Sequence, residues 1–209
     1  NLKTSRIDYT LVLLLFLFFL SSCLAIYSAQ STGQYNENFL IKQIFWYGIG
    51  VVLITLVIRL DSDQLRKISW YTYVIGNILL LLLILAPSSI APEINGAKSW
   101  FVFPFIGSLQ PSELMKIFLI ITLANVIATH HTKNVVKTVE SDFKLLFKLC
   151  VITGVPLLLV MQQPDLGTSL VLLAILAGMI FASGITWKII LPIFGTVTAG
   201  GGLILLLVI

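Results

Sequence analysis

The sequence predicts an all-α polytopic membrane protein with about seven transmembrane helices. Three observations carry that prediction. The composition is 58% hydrophobic and 11% charged with a mean hydropathy of +1.03, too apolar for a soluble globule. Apolar runs long enough to cross a bilayer recur along the chain. The basic residues sort onto alternate connections between those runs.

Seven spans are placed at residues 9–28, 41–58, 71–86, 114–127, 145–161, 169–182 and 189–209. The fourth and sixth are short for a hydrocarbon core of about 30 Å, which takes about 20 helical residues. Each is therefore expected to extend back through the polar segment before it. In the first span, Leu20, Ser21, Ser22 and Cys23 resemble a lipoprotein cleavage box, but the apolar stretch continues past the cysteine and further spans follow. It reads as an uncleaved helix. Cys23 and Cys150 are assigned toward opposite membrane sides, so no disulfide is expected between them.

Lys3, Arg6, Arg59, Arg66, Lys67, Lys133, Lys137, Lys144, Lys148 and Lys188 alternate onto one side, against Lys42 and Lys98 on the other. The positive-inside rule then makes the N-terminus cytoplasmic and opens residues 95–116 and 162–169 toward the outer face. A formal charge of +4 is explained by this orientation and not by nucleic acid. No internal repeat, low-complexity linker or soluble domain is visible, and residues 1–209 read as one membrane domain. The chain begins at Asn1 and ends inside the apolar run GGGLILLLVI, and is expected to be a fragment of a longer protein. Residues 130–144 read as a cytoplasmic loop. Adjacent His130 and His131 do not share a helix face and have no Cys, Asp or Glu at ligand spacing beside them, so no metal site is assigned.

The chemistry concentrates in NGAKSWFVFPFIGSLQPSELMK (95–116) and QQPDLGTS (162–169). Gln110 and Pro111 suit a helix start, because proline at the first helical position gives up a donor that would be unpaired anyway. Glu113 then lies in the first turn, where the helix dipole favours a carboxylate, and Lys116 follows on nearly the same face. An intramembrane cation needs a partner, water or an anionic substrate, and Asp165, just before Gly167, Thr168 and Ser169, is the candidate partner. Charge placement alone leaves two readings level: an ion pair pinning two helices, or a substrate site. The stretch 95–107 suits an interfacial or re-entrant loop whose Phe residues form an aromatic belt. Lys98 and Trp100 within it could hold a phosphate or sugar of a lipid headgroup. Asn125 reads as an interhelical hydrogen bond, and the run 199–202 as a site of close packing.

GAKSWFVFPFIGSLQPSELMKI (96–117) and QQPDLGTSLV (162–171) resemble the signature segments of the SEDS family (shape, elongation, division and sporulation), typified by RodA and FtsW. The segment YSAQSTGQYNENFLIKQIFWYGIG (27–50) is most similar to RodA-like members from Gram-positive bacteria. The resemblance implies a bundle of ten helices and a peptidoglycan glycosyltransferase that polymerises lipid II for cell-wall elongation and cell shape, in the bacterial cytoplasmic membrane, with a class B penicillin-binding protein as partner. It puts Glu113, Lys116 and Asp165 in the substrate cavity, with Lys98 and Trp100 in the matching outer loop. It also puts the catalytic base in a loop after Ile209, so the fragment alone is expected to be inactive. A departing diphosphate needs cationic or metal stabilisation, which admits a divalent cation such as Mg or Mn. A precursor flippase and a division or elongation scaffold are the competing classes.

Overall fold

A computed structural model describes residues 8–31, 38–94, 96–103, 107–133, 138–192 and 195. Lys3, Arg6, Asn95, Pro104, Phe105, Lys137 and residues 199–202, all used in the sequence argument, lie outside them.

The chain divides into two compact units, Asn1–Asp61 and Ser62–Ile209. The first contains α1 (Tyr9–Gln30) and α2 (Phe39–Val57). Each begins where a short polar side chain satisfies free amides: Asp8 accepts from the Thr10 and Leu11 N–H groups at 2.9 and 3.3 Å, and Asn38 from that of Ile41 at 3.3 Å. The two helices form an antiparallel hairpin. Gln43 Nε2 donates to Ser22 Oγ at 2.9 Å, and Phe19 meets Tyr47 edge-on with ring centroids 4.8 Å apart. Neither helix buries a residue, which suits elements whose apolar side chains face lipid.

The second unit contains α3 (Ser62–Leu85), a hairpin of β1 (Phe101–Phe103) and β2 (Gly107–Leu109), then α4 (Pro111–Lys133), α5 (Val139–Met161) and α6 (Leu166–Ala182). Residues 187–192 are helical too, and the remainder of the seventh predicted span lies mostly outside the described residues. The first six predicted spans are all helices, and five of these are long and apolar enough to cross a membrane; α6 is the shorter apolar one. The chain is a multi-pass membrane protein. As expected, α4 and α6 reach back into the polar motifs, to Pro111 and Leu166. Two boundaries differ from the sequence expectation. Arg66 and Lys67 are inside α3, and His130, His131 and Lys144 are inside α4 and α5 rather than in a loop. Helices outrun their apolar runs because intrahelical hydrogen bonds satisfy the backbone whether or not the side chains are apolar.

Leu80 of α3, Met115, Leu119 and Leu123 of α4, Leu145 and Leu149 of α5 and Leu172 of α6 form a fully buried core. α3 packs tightly on α4 at Gly76, where a Cβ would lie 2.5 Å from Met115 Sδ and 3.0 Å from Phe118 Cδ2. The methionine sulfur can move for one methyl group but not for a branched side chain. Gly76→Val is therefore expected to destabilise the protein by about 1–3 kcal/mol, the scale of overpacking, while Gly76→Ala costs less. A thermal-shift series on the two variants in one detergent checks the order.

Pro156 interrupts α5 and leaves the Ile152 carbonyl without its helical donor. Tyr73 of α3 supplies the missing hydrogen bond, its hydroxyl donating to Ile152 O at 2.8 Å. Asn125 is an interhelical link, as its sequence position suggests: Nδ2 donates to Ser69 Oγ at 2.8 Å and Arg66 O at 3.2 Å. At the same end of the unit, His131 Nε2 lies 2.8 Å from Ser183 O, and buried Asp142 accepts from the Thr186 amide at 3.0 Å and from its hydroxyl.

Candidate functional site

The stretch between α3 and α4 is built on backbone pairing. Ile94 and Ala97 bridge across Gly96, whose φ of +79° suits a residue without a Cβ. β1 and β2 pair antiparallel with Phe101 opposite Leu109, and the Val102 amide donates to Ile90 O at 2.9 Å. This small hairpin is an addition to the all-α prediction. It gives the segment between α3 and α4 internal partners for some of its amides and carbonyls, which lipid could not supply.

Lys98 is used within this scaffold. Its ammonium donates to Ile84 O at 3.0 Å and to Ala86 O, at and just past the C-terminal end of α3, where a helix leaves unpaired acceptors and partial negative charge. Lys98 thus caps the C-terminal end of α3. Trp100 itself is half-buried one residue before β1.

β2 leads directly into the α4 start. Gln110 O accepts the Glu113 amide at 3.1 Å and Pro111 occupies the first helical position. Across from it, Asp165 caps α6: Oδ1 accepts from the Thr168 amide at 2.9 Å, and Oδ2 from the Thr168 hydroxyl at 2.7 Å. The same Oδ2 accepts from Gln110 Nε2 at 3.0 Å. One carboxylate thus joins the N-termini of α4 and α6, the positive ends of two helix dipoles.

Lys116 does not pair with Asp165. Its ammonium lies 2.9 and 2.8 Å from the two carboxylate oxygens of Glu113, within one helix, with side-chain exposures of 23% for the lysine and 58% for the glutamate. The reason is spacing: residues three apart on a helix are neighbours, and the Asp165 oxygens are already taken by the α6 N-terminus and Gln110. The inter-helix tie expected of Lys116 is made by Gln110, which in sequence stood out only as a helix-start signal. An amide immediately before a first-turn proline, facing a second motif with a lone Asp, is the pattern that could have marked it.

Buried polar atoms surround this junction. Gln163, 1% exposed, donates through Nε2 to Leu80 O at 3.2 Å and anchors the α5–α6 turn to α3. Its Oε1 has no hydrogen-bond partner among the described residues, and neither does Ser112 Oγ in the first turn of α4. Among the described residues no group of three or more His, Cys, Asp or Glu side chains converges. The assembled groups are a partly exposed ammonium, two carboxylates with different partners, an amide and two helix N-termini. Such a set can bind a phosphate-bearing, hydroxyl-rich molecule.

The FtsW/RodA/SpoVE family profile, described as cell cycle protein, matches residues 5–209. The peptidoglycan glycosyltransferase RodA of Treponema pallidum is 32% identical over 191 residues, covering 90% of this chain and 41% of that protein. The probable peptidoglycan glycosyltransferase FtsW of Hydrogenovibrio crunogenus is 28% identical over 151 residues, or 72% of this chain and 36% of that one. Among solved structures, the rod shape determining protein RodA of Thermus thermophilus aligns with a TM-score of 0.66 at 25% identity, over 94% of this chain and 60% of its own. A chain from a structure describing coordinated polymerization and crosslinking by a peptidoglycan synthase complex aligns with a TM-score of 0.67 at 26% identity, covering 91% and 52%. The chain spans 41% or less of the length of these two curated relatives.

Proposed function

The chain belongs to the FtsW/RodA/SpoVE family of cell cycle proteins, and from that premise we propose that the protein is a peptidoglycan glycosyltransferase acting on lipid II in the bacterial cytoplasmic membrane. The observation that carries the reading is the junction of the α4 and α6 N-termini through Gln110 and Asp165, with Lys116 one turn along α4. It assembles the two motif segments that resemble the family signature into one polar site at one end of the helical unit.

In this reaction an acceptor sugar hydroxyl forms a new glycosidic bond, the bond to the donor's diphosphate breaks, and undecaprenyl diphosphate leaves with the electron pair. Lys116 and the two helix N-termini offer positive potential to that diphosphate. Asp165 and Gln110 hold the two N-termini at a fixed separation. The hydroxyl's proton goes to a general base expected beyond Ile209, and Asp165 is not that base because its oxygens are committed to the cap. A divalent cation, if bound, would be held by a carboxylate such as Glu113 together with the substrate's own phosphates and would supply further positive charge to the leaving diphosphate. The ten basic residues on one side support a cytoplasmic N-terminus and an outward-facing site. The solved relative described as part of a synthase complex supports a partner that crosslinks the product, of the class B penicillin-binding type. The resemblance of residues 27–50 to RodA-like members supports a role in elongation.

The full-length protein, co-purified with its penicillin-binding partner and given lipid II, is expected to yield glycan ladders on a gel. Lipid II translocation in vesicles without glycan would instead indicate a flippase, and neither activity would indicate a scaffold.

A further inference from the structure

On the helical unit, at the end opposite the Gln110–Asp165 junction, a groove of about 460 Å³ opens between α3, α4 and α5. Trp70 of α3, Asn125 and His130 of α4, and Phe147, Lys148 and Val151 of α5 line it. We propose that this groove holds one anionic glycerophospholipid of the cytoplasmic leaflet, with the headgroup phosphate on Lys148 and an acyl chain along Trp70, Phe147 and Val151.

Lys148 carries the argument. It is nine residues into α5, roughly 14 Å along the helix from Val139, beyond the polar first turns and among apolar side chains. Lys144, one turn earlier, is neutralised by Glu140 at 2.6 Å. Lys148 has no ion-pair partner among the described residues, although a cation at membrane depth requires a counter-charge or water. The polar neighbours in the groove do not supply one. Asn125 is engaged with Ser69, Arg66 and, through Oδ1, with Thr129 at 3.3 Å, and the His130 Nε2 is 2.9 Å from Ser141 Oγ. The groove therefore presents net positive charge.

The rim decides the chemical class of the anion. Trp70 is 47% and Phe147 63% exposed, so the groove opens to the outside of this helical unit, and an indole with an ammonium is a usual headgroup-level combination. A soluble phosphate would gain nothing from those walls; a phospholipid fills both parts. The end of the bundle is the one where the basic residues gather, the side of anionic lipid in the orientation proposed above. The inference rests on that orientation and not on the glycosyltransferase reading.

Native mass spectrometry of the full-length protein in detergent, titrated with phosphatidylglycerol or phosphatidylcholine, tests it without lipid II. One phosphatidylglycerol is expected to be retained in preference to phosphatidylcholine. Lys148→Gln should weaken that retention about fivefold, the scale of one basic residue beside an anionic membrane surface. Lys148→Arg should keep it, and Lys144→Gln should leave it unchanged. Equal retention of the two lipids by the wild type overturns the proposal even if Lys148→Gln fails to fold. So do unchanged binding in Lys148→Gln, which would make Lys148 a snorkelling side chain, an equal loss in Lys144→Gln, and displacement of the lipid by millimolar inorganic phosphate.

Discussion

Asp165→Ala in the full-length protein is expected to lower lipid II polymerisation about 100-fold while costing only about 1 kcal/mol of stability. The stability figure follows from the cap: alanine cannot accept from the Thr168 amide, and losing such a cap costs about 0.5–2 kcal/mol. The activity figure follows from geometry. Gln110 loses its acceptor, the α4 and α6 N-termini are no longer tied, and a shift of about 1 Å in a positioned group can cost about 100-fold in rate. Asp165→Asn separates cap from charge. Asparagine caps as well as aspartate, and Gln110 can turn its Oε1 toward the new amide. Normal folding with lost glycan synthesis in the Asn variant would show that the negative charge is needed. Normal synthesis in both variants, at matched folding, would reduce Asp165 to a structural cap and place the working groups elsewhere.

The helices were legible because lipid allows few alternatives: an apolar run in a membrane satisfies its backbone as a helix, and Pro111 and Asp165 mark starts that local chemistry dictates. Partner choice was less legible. Lys116 and Asp165 lie on motifs that do meet, so pairing opposite charges was a reasonable inference. It failed because each group had a nearer partner, Glu113 three residues away and the Thr168 amide in the same turn. The capping role of Lys98 was hidden for a related reason. Carbonyls at the end of α3 are invisible to a search for charged partners, yet they hold an ammonium as a carboxylate would. Tyr73 gave no signal at all, because its role depends on a carbonyl freed by Pro156, 83 residues later in the chain. The Phe101–Leu109 hairpin is short enough that alternation over three residues could not distinguish it from a loop.

Lys116→Ala is expected to abolish most glycan synthesis and leave stability nearly unchanged, and the reason lies in where its pair sits. A salt bridge that pins two helices would be costly to break; one between neighbours three apart on the same helix, with the glutamate 58% exposed, contributes at most about 1 kcal/mol. Left alone, Glu113 remains in the first turn of α4, where the dipole favours its charge. The fold thus gains little from Lys116, and a cation one turn into a membrane helix needs some other reason to be there. Glu113→Gln supplies the complementary test. It frees the ammonium, so if Glu113 only holds Lys116 in place for a diphosphate, the Gln variant should keep a substantial fraction of activity while binding the substrate less selectively, and the double variant should be no worse than Lys116→Ala. If Glu113→Gln is as inactive as Lys116→Ala, the carboxylate contacts the substrate itself. If both single variants polymerise lipid II normally at matched folding, the pair serves α4 alone, and the diphosphate must be held by groups outside this junction.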